Sequence, residues 1–186
     1  AAPFPDQLPP AEAGLAGAPP VVVMAGGWRP NLDGARWFLQ RAWPLVHAKH
    51  PGARLHVFGA SLAGPGVTSH PAPPDSRAAF ASGSVHVVPL RMAAGVRVKI
   101  LEAWARGVAV VATSRAAAGL GAQDGRELLL ADDPGALAAA VHALVEERGL
   151  AARLAGAGRE RLAARHSPTL VARAWSDLLA EVARPR

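Results

Sequence analysis

Residues 85–113, VHVVPLRMAAGVRVKILEAWARGVAVVAT, constrain the fold more than any other stretch. Val85, Val87 and Val88 form a short apolar run that Pro89 ends. Leu90 to Gly95 cannot hold a regular element, with Pro before it and Gly inside it. From Val98 to Arg106, apolar Val98, Leu101 and Ala105 recur at helical spacing, with Lys99, Glu102 and Arg106 on other faces. Gly107 suits a helix C-terminus, because it enters the left-handed region without a side-chain penalty. Val108, Val110 and Val111 then form a second buried strand. Strand, loop, helix and strand in this order make a parallel unit. Its first loop opens a helix at the carboxyl edge of a sheet, where free N–H groups and the positive dipole end attract anions. Gly95 permits close approach there, Arg97 and Lys99 add positive charge, and Glu102 offers a carboxylate to sugar hydroxyls.

The rest of the chain repeats the alternation. Val21–Ala25 reads as a first strand, followed by the turn-rich Gly26-Gly27-Trp28-Arg29-Pro30-Asn31 and a helix over 32–49 that Pro44 should kink or break. Leu55–Gly59 is a second strand. Residues 61–74, rich in Gly and Pro, form a loop with room for a short strand at Val67-Thr68, and Asp75 is placed to cap a short helix through Phe80. Beyond Thr113 come a loop with at most one helical turn, a strand over 127–131, and a helix that Asp133 caps and Pro134 starts. A further helix spans 150–166, and a last one follows Ser167-Pro168. The expectation is an α/β fold: one Rossmann-like domain, a mostly parallel sheet of five or six strands with helices on both faces, and a helical C-terminal section. Residues 1–20 carry six of the 17 prolines and no apolar period, so they read as a linker or domain remnant, with the domain over 21–186.

Charge and composition narrow the function. The net charge of +6 comes from 20 basic and 14 acidic residues, mostly scattered arginines without a run of like charge. That pattern suits an anionic ligand at least as well as a nucleic-acid face. Zero cysteines exclude disulfides, thiol catalysis and Cys-type zinc sites. No apolar run approaches a membrane span, and no basic-then-apolar start suggests a signal peptide. A cytoplasmic location is expected, with peripheral association at the inner membrane face left open.

Each candidate has a plain structural alternative. Arg97, Lys99 and Arg106 could be solvated, with Glu102 paired to Lys99 or Arg106 on the helix surface. Gly26-Gly27 could bring backbone N–H groups to a phosphate with Arg29 beside it, or form only a tight turn; neither a three-glycine fingerprint nor a P-loop is present. His47 and His50 read as a surface pair, His86 as a satisfied buried histidine, and His70 as a residue that could line a pocket. The five tryptophans read as core or interface. Asp132-Asp133 reads as a helix cap rather than a metal site. No serine occupies a nucleophile elbow.

One ordered set of short motifs spans residue 21 to the C-terminus: Gly-Gly-Trp-Arg-Pro-Asn; Trp-Phe-Leu and Trp-Pro; Pro-Gly-Ala-Arg-Leu and Val-Phe-Gly; Val-Pro-Leu-Arg; Gly-Val-Arg-Val-Lys-Ile-Leu-Glu-Ala; Gly-Val-Ala-Val-Val-Ala-Thr; and Ala-Asp-Asp-Pro. It resembles the C-terminal, donor-binding domain of group-1 (family 4) retaining glycosyltransferases of the GT-B type. The resemblance implies a two-domain enzyme with its active site in the interdomain cleft. It implies a nucleoside-diphosphate sugar as substrate, an acceptor-binding N-terminal domain as partner, no catalytic metal or other cofactor, and no nucleic acid. On that basis Glu102 would bond the ribose hydroxyls. Gly27, Ala94, Gly95 and Val96 would line the donor, and Arg29, Arg97 and Lys99 would stabilise the leaving diphosphate. Two positions depart from the usual pattern: Asp33 stands near where many members carry Lys, and Ala94 where many carry a second glutamate. Alone, the chain is expected to bind donor weakly and transfer nothing; glycan or polysaccharide biosynthesis is the expected context. A sugar-nucleotide epimerase of the same build, or a non-catalytic interaction domain, are the other readings.

Overall fold

A computed structural model describes Phe4, Leu8, residues 14–92, Gly95 and residues 97–182. Six strands form one sheet: β1 Pro20–Met24, β2 Arg54–Phe58, β3 Val67–His70, β4 Val85–Val88, β5 Ala109–Ala112 and β6 Leu129–Leu130, in the order β3-β2-β1-β4-β5-β6. Every pairing is parallel. This is the doubly wound Rossmann arrangement expected from the alternation, with β1 at the point where strand order reverses.

The near-continuous Val and Ala runs are explained by burial on both sides. Val21 and Val23 of β1, Val85 and Val87 of β4, and Val111 of β5 face one core, completed by Phe38, Trp43, Leu137, Val141 and Leu154. Val22, Val88, Val110 and Ala112 face the other, with Phe80, Ile100, Leu101, Trp104 and Leu162. The first core is covered by α1 Arg29–Arg41, α2 Trp43–Lys49 and α5 Pro134–Glu146. The second lies under α3 Val98–Ala105, the short α4 Ser114–Ala117 and a 3₁₀ turn at Arg77–Ala79. Helix α6, Arg148–His166, contributes Leu154 to one core and Leu162 to the other, and α7, Pro168–Val182, follows it. Phe4 is buried against the second core, and its amide donates to the His166 carbonyl at 2.9 Å.

Several local expectations hold and a few shift. The helix expected over 32–49 starts earlier, at Arg29 with Pro30 in its first turn, and breaks at Ala42, two residues before Pro44. Ser76, not Asp75, stands at the N-cap of the 3₁₀ turn; Asp75 instead accepts from the Arg77 amide at 2.9 Å. The strand expected over 127–131 shrinks to two residues. Glu127 folds back into a turn with Gln123, whose amide donates to Glu127 Oε2 at 2.8 Å, and Asp124 Oδ1 accepts from the Leu130 amide at 2.7 Å. Asp133 caps α5 as expected, accepting from Ala136 at 2.9 Å, while Asp132 accepts from the Ser114 amide and hydroxyl at 2.8 and 2.6 Å. Trp43 and Trp104 are core, whereas Trp28 and Trp175 are exposed.

Glycines set how closely the elements meet. A Cβ on Gly34, inside α1, would lie 2.4 Å from the Pro89 carbonyl oxygen, and one on Gly26 would lie 3.1 Å from the Gly59 Cα. The loop after β1 thereby packs on the loop after β2, and α1 on the loop after β4, backbone to backbone at the carboxyl edge. In contrast, nothing lies within 4 Å of a Cβ on Gly156 of α6. Gly→Ala normally favours a helix by up to about 1 kcal/mol. Gly156→Ala is therefore expected to raise the melting midpoint. Gly34→Ala is expected to lower stability by about 2 kcal/mol through overpacking, a midpoint fall of roughly 4–8 °C. Calorimetric melting of both variants checks the opposite signs.

Candidate functional site

Helix α3 leaves the loop after β4 at the carboxyl edge of the sheet. Its side chains answer two neighbours. Lys99, in the first turn, donates from Nζ to the carbonyl of Met24, the last residue of β1, at 2.9 Å. Burial, and secondarily the nearby Arg97 charge, pull its pKa down to about 8. Arg97 itself is 8% exposed, and burial lowers its pKa as well. Glu102, one turn further on, faces away from β1 toward the residues that precede the 3₁₀ turn. Its Oε1 accepts from the Ser76 hydroxyl and from Arg106 Nε and Nη2 at 3.4 and 3.3 Å. Burial raises the Glu102 pKa, and Arg106 opposes that rise.

The surface reading of these charges is thus corrected. Arg106 and Glu102 do pair at i,i+4 spacing, but their side chains are only 6% and 12% exposed. Arg106 lies over the Phe80 ring, 5.9 Å from guanidinium carbon to centroid. Periodicity could place Arg106 off the apolar face of α3, but it could not show that residues 75–80 fold over that face. Ser76 was invisible as a site residue, since no local spacing links it to Glu102.

The other expected residues spread along the same edge. Gly27 and Gly95 are exposed with φ of 79° and 75°, conformations that glycine adopts readily. Arg29 is exposed at the first position of α1. Ala94 and Val96 lie outside the described residues. Asn31, buried behind this loop, donates from Nδ2 to the Gly26 carbonyl at 2.9 Å and fixes the turn. A cleft of about 550 Å³ opens beside the loops after β4 and β5, lined by Leu90, Arg91, Thr113, Ser114, Arg115, Ala118 and Asp132; sequence reading gave no hint of it.

The histidines depart from expectation. His47 stacks on Trp43, while His50 meets His142 with rings tilted 51° and lies 3.4 Å from Glu146, so the two are not a pair. His70 is tied to His56, ring nitrogens 2.9 Å apart, and His56 reaches the Ala16 carbonyl at 2.8 Å. His86 is fully buried against Phe80, and neither ring nitrogen has a hydrogen-bond partner among the described residues. It is not the satisfied histidine that was expected: β4 buries it against Phe80 with neither nitrogen bonded. Among the described residues no group of three or more His, Asp or Glu could hold a metal ion, and no helix is long and apolar enough to cross a membrane.

A six-stranded parallel sheet wound on both faces, with Arg97, Lys99 and Glu102 on the helix after its central β4, defines a Rossmann-like class of domain. The family model for glycosyl transferases group 1 matches residues 19–147, and the chain belongs to that family. An uncharacterized 44.6 kDa protein in the cps region of Klebsiella pneumoniae is 25% identical over 119 residues, which is 55% of this chain and 31% of that protein. The chain therefore spans about a third of that relative. Among solved structures, the C-terminal domain of the group 1 glycosyl transferase LpcC from Francisella tularensis superposes with a TM-score of 0.64 at 16% identity, covering 86% of this chain and 88% of that one. The Anabaena protein HepE, crystallised with UDP and glucose, gives 0.65 at 15% identity, covering 86% of this chain and 48% of that one. The fold is that of a GT-B glycosyltransferase C-terminal domain.

The buried His86 makes stability depend on pH. Burial, with Lys99 contributing, lowers its pKa from 6.5 to about 3. The unfolded chain takes up a proton there below about 6.5 and the folded one only near 3. The native state then binds fewer protons, and stability falls as pH falls through that window. His86→Leu is expected to flatten this part of the acid limb and to raise stability at neutral pH. Denaturant titrations at several pH values check it; an unchanged acid limb would contradict the assignment.

Proposed function

We propose that the chain is the donor-binding domain of a glycosyltransferase that moves a sugar from a nucleoside diphosphate to an acceptor held by a second, N-terminal domain. Residues 1–20 would be the connection between the two, with residues 21–186 as the domain. The observation that carries the reading is α3. It presents Arg97 and Lys99 at the carboxyl edge of the central strands and Glu102 one turn behind, in a chain of the group 1 family. Glu102 accepts from the ribose hydroxyls. Gly27, Ala94, Gly95 and Val96 line the donor, where backbone N–H groups can face its phosphates. Arg29, Arg97 and Lys99 offset the charge that develops on the diphosphate as the sugar leaves, most strongly once the two domains close and exclude water. The resemblance to this family implies neither a catalytic metal nor another cofactor, with side-chain cations in that role. HepE, crystallised with UDP and glucose, supports a nucleotide-sugar substrate. Matching 31% of the cps-region protein supports a missing partner half, without which transfer is not expected. Glycan or polysaccharide assembly in the cytoplasm fits these features, with any membrane association carried by the other half.

Thermal shift with UDP, GDP and ADP tests the site. A ligand at a hundred times its Kd adds about 2.7 kcal/mol, a midpoint rise of roughly 5–11 °C. A rise with one diphosphate that Glu102→Ala abolishes is the expected result; a rise that survives Glu102→Ala removes Glu102 from the site.

Lys99 supplies an independent check. With its pKa near 8 it is partly neutral in the empty site, and a bound diphosphate would restore its charge. Binding near that pH is expected to take up protons, measured as buffer-dependent heat in calorimetry, and Lys99→Met is expected to abolish the uptake. Binding with no uptake would contradict a contact between Lys99 and phosphate.

A further inference from the structure

We propose that Arg106 and Ser76 are positioning residues that occupy one carboxylate oxygen of Glu102 and leave the other to accept from the ribose hydroxyls, making the site selective for ribonucleotides over deoxyribonucleotides. The inference rests on the donor-site reading above. Among the described residues, every polar contact of the Glu102 carboxylate falls on Oε1: the Ser76 hydroxyl, Arg106 Nε and Arg106 Nη2. An arginine fork usually takes both oxygens of a carboxylate in two parallel bonds. Here both guanidinium nitrogens converge on the same oxygen, and Oε2 is left for a ligand.

The two positioning groups are themselves fixed. Arg106 Nη2 also donates to the Ser76 hydroxyl oxygen at 3.4 Å, so the three side chains close a triangle. Phe80, 1% exposed, backs the guanidinium face. Ser76 sits where the chain enters the 3₁₀ turn, and Asp75 pins that entry by accepting from the Arg77 amide at 2.9 Å and Arg77 Nε at 2.8 Å. The segment that follows β3 is thereby joined to α3 at the carboxylate. A carboxylate held by one oxygen presents the other in a single orientation, and a ligand hydroxyl meets it without ordering cost.

The charges facing Glu102 give a second handle. Arg106, on its own helix, favours the ionised carboxylate; burial and Asp75, from the preceding segment, disfavour it, and Asp75 is itself paired with Arg77 at 2.6 Å. Only the ionised form is purely an acceptor for hydroxyl groups. Removing Arg106 therefore shifts the loss of ribose binding on acidification to higher pH.

The test is calorimetric titration of this chain with UDP, GDP and ADP and their 2′-deoxy and 3′-deoxy counterparts at several pH values. The proteins are wild type, Arg106→Met, Arg106→Lys and Ser76→Ala, each checked for an intact melting transition. Methionine keeps the stem that packs on Phe80, lysine keeps the charge, and Ser76→Ala decides if Arg106→Met fails to fold. The expected result is a ribonucleotide preference in wild type that falls about tenfold in Arg106→Met and Ser76→Ala, the loss of one well-placed hydrogen bond. In Arg106→Met the acid loss moves to higher pH, and in Arg106→Lys it does not. Folded variants that keep both the preference and the pH profile overturn the inference and leave the donor site standing. Equal binding of ribo- and deoxynucleotides by wild type overturns it as well. Absence of binding by any nucleotide at millimolar concentration overturns both.

Discussion

Strand β1 hydrogen-bonds in parallel to β2 on one side and to β4 on the other, and its central valines are buried on both faces. A strand so placed has no polar side, which is why its neighbours β4 and β5 are also runs of Val and Ala broken only by His86. Because all strands point the same way, every loop that leaves a carboxyl end gathers on one edge. From β1 the chain winds to β2 and β3 on one flank and then returns to β4 on the other. The loops after β1 and β4 therefore part at the centre, the position where ligands sit in open α/β sheets. Gly26 against Gly59 and Gly34 of α1 against Pro89 bring the backbones close together at this edge.

Helix α3 carries charged groups at this edge that burial does not favour. Lys99 and Arg97 are held where burial works against their charge, and Glu102 where burial works against its own. Lys99 is tethered to a backbone carbonyl, and Glu102 is paired with Arg106 through one oxygen. Buried ionic groups of this kind are weak evidence for stability and better evidence for a site that awaits a ligand of opposite charge pattern. A nucleoside diphosphate offers that pattern, with anionic oxygens for the cations and hydroxyl donors for the carboxylate. Residues 75–80 bring the serine and the aromatic ring that hold Glu102 and Arg106 in place.

Much of this was legible in the chain itself. The apolar strands at residues 21–24, 85–88 and 109–112 announce themselves by composition, the break near Pro44 by a missing N–H, the end of α3 by Gly107, and the start of α5 by Asp133-Pro134. These are local effects, and local sequence carries them. What was not legible is long-range or depends on strand parity. Ser76 lies 26 positions from Glu102, and only the return of the chain after β3 unites them. Arg106 has the spacing of a surface helix charge, and its cover comes from another element. His86 faces the core under α3, against Phe80, because β4 pairs it in one register rather than the next. The strand over 127–131 was overestimated because Gln123 and Asp124 bond its two ends and fold it into a turn.

The central claim is that the carboxyl edge, and not another surface, receives a nucleoside diphosphate. A competing cavity of about 600 Å³ exists at the opposite, amino-terminal edge, lined by Gly17 to Pro20, Ser82 to Val85 and Gly107 among others. Amide chemical-shift mapping of the isotope-labelled chain during titration with UDP, GDP and ADP separates the two most directly. The account predicts that shifts concentrate at Gly27, Ser76, Gly95 and residues 97–102, with Gly17, Ser82 and Gly83 unmoved. Shifts confined to the amino-terminal edge would contradict it.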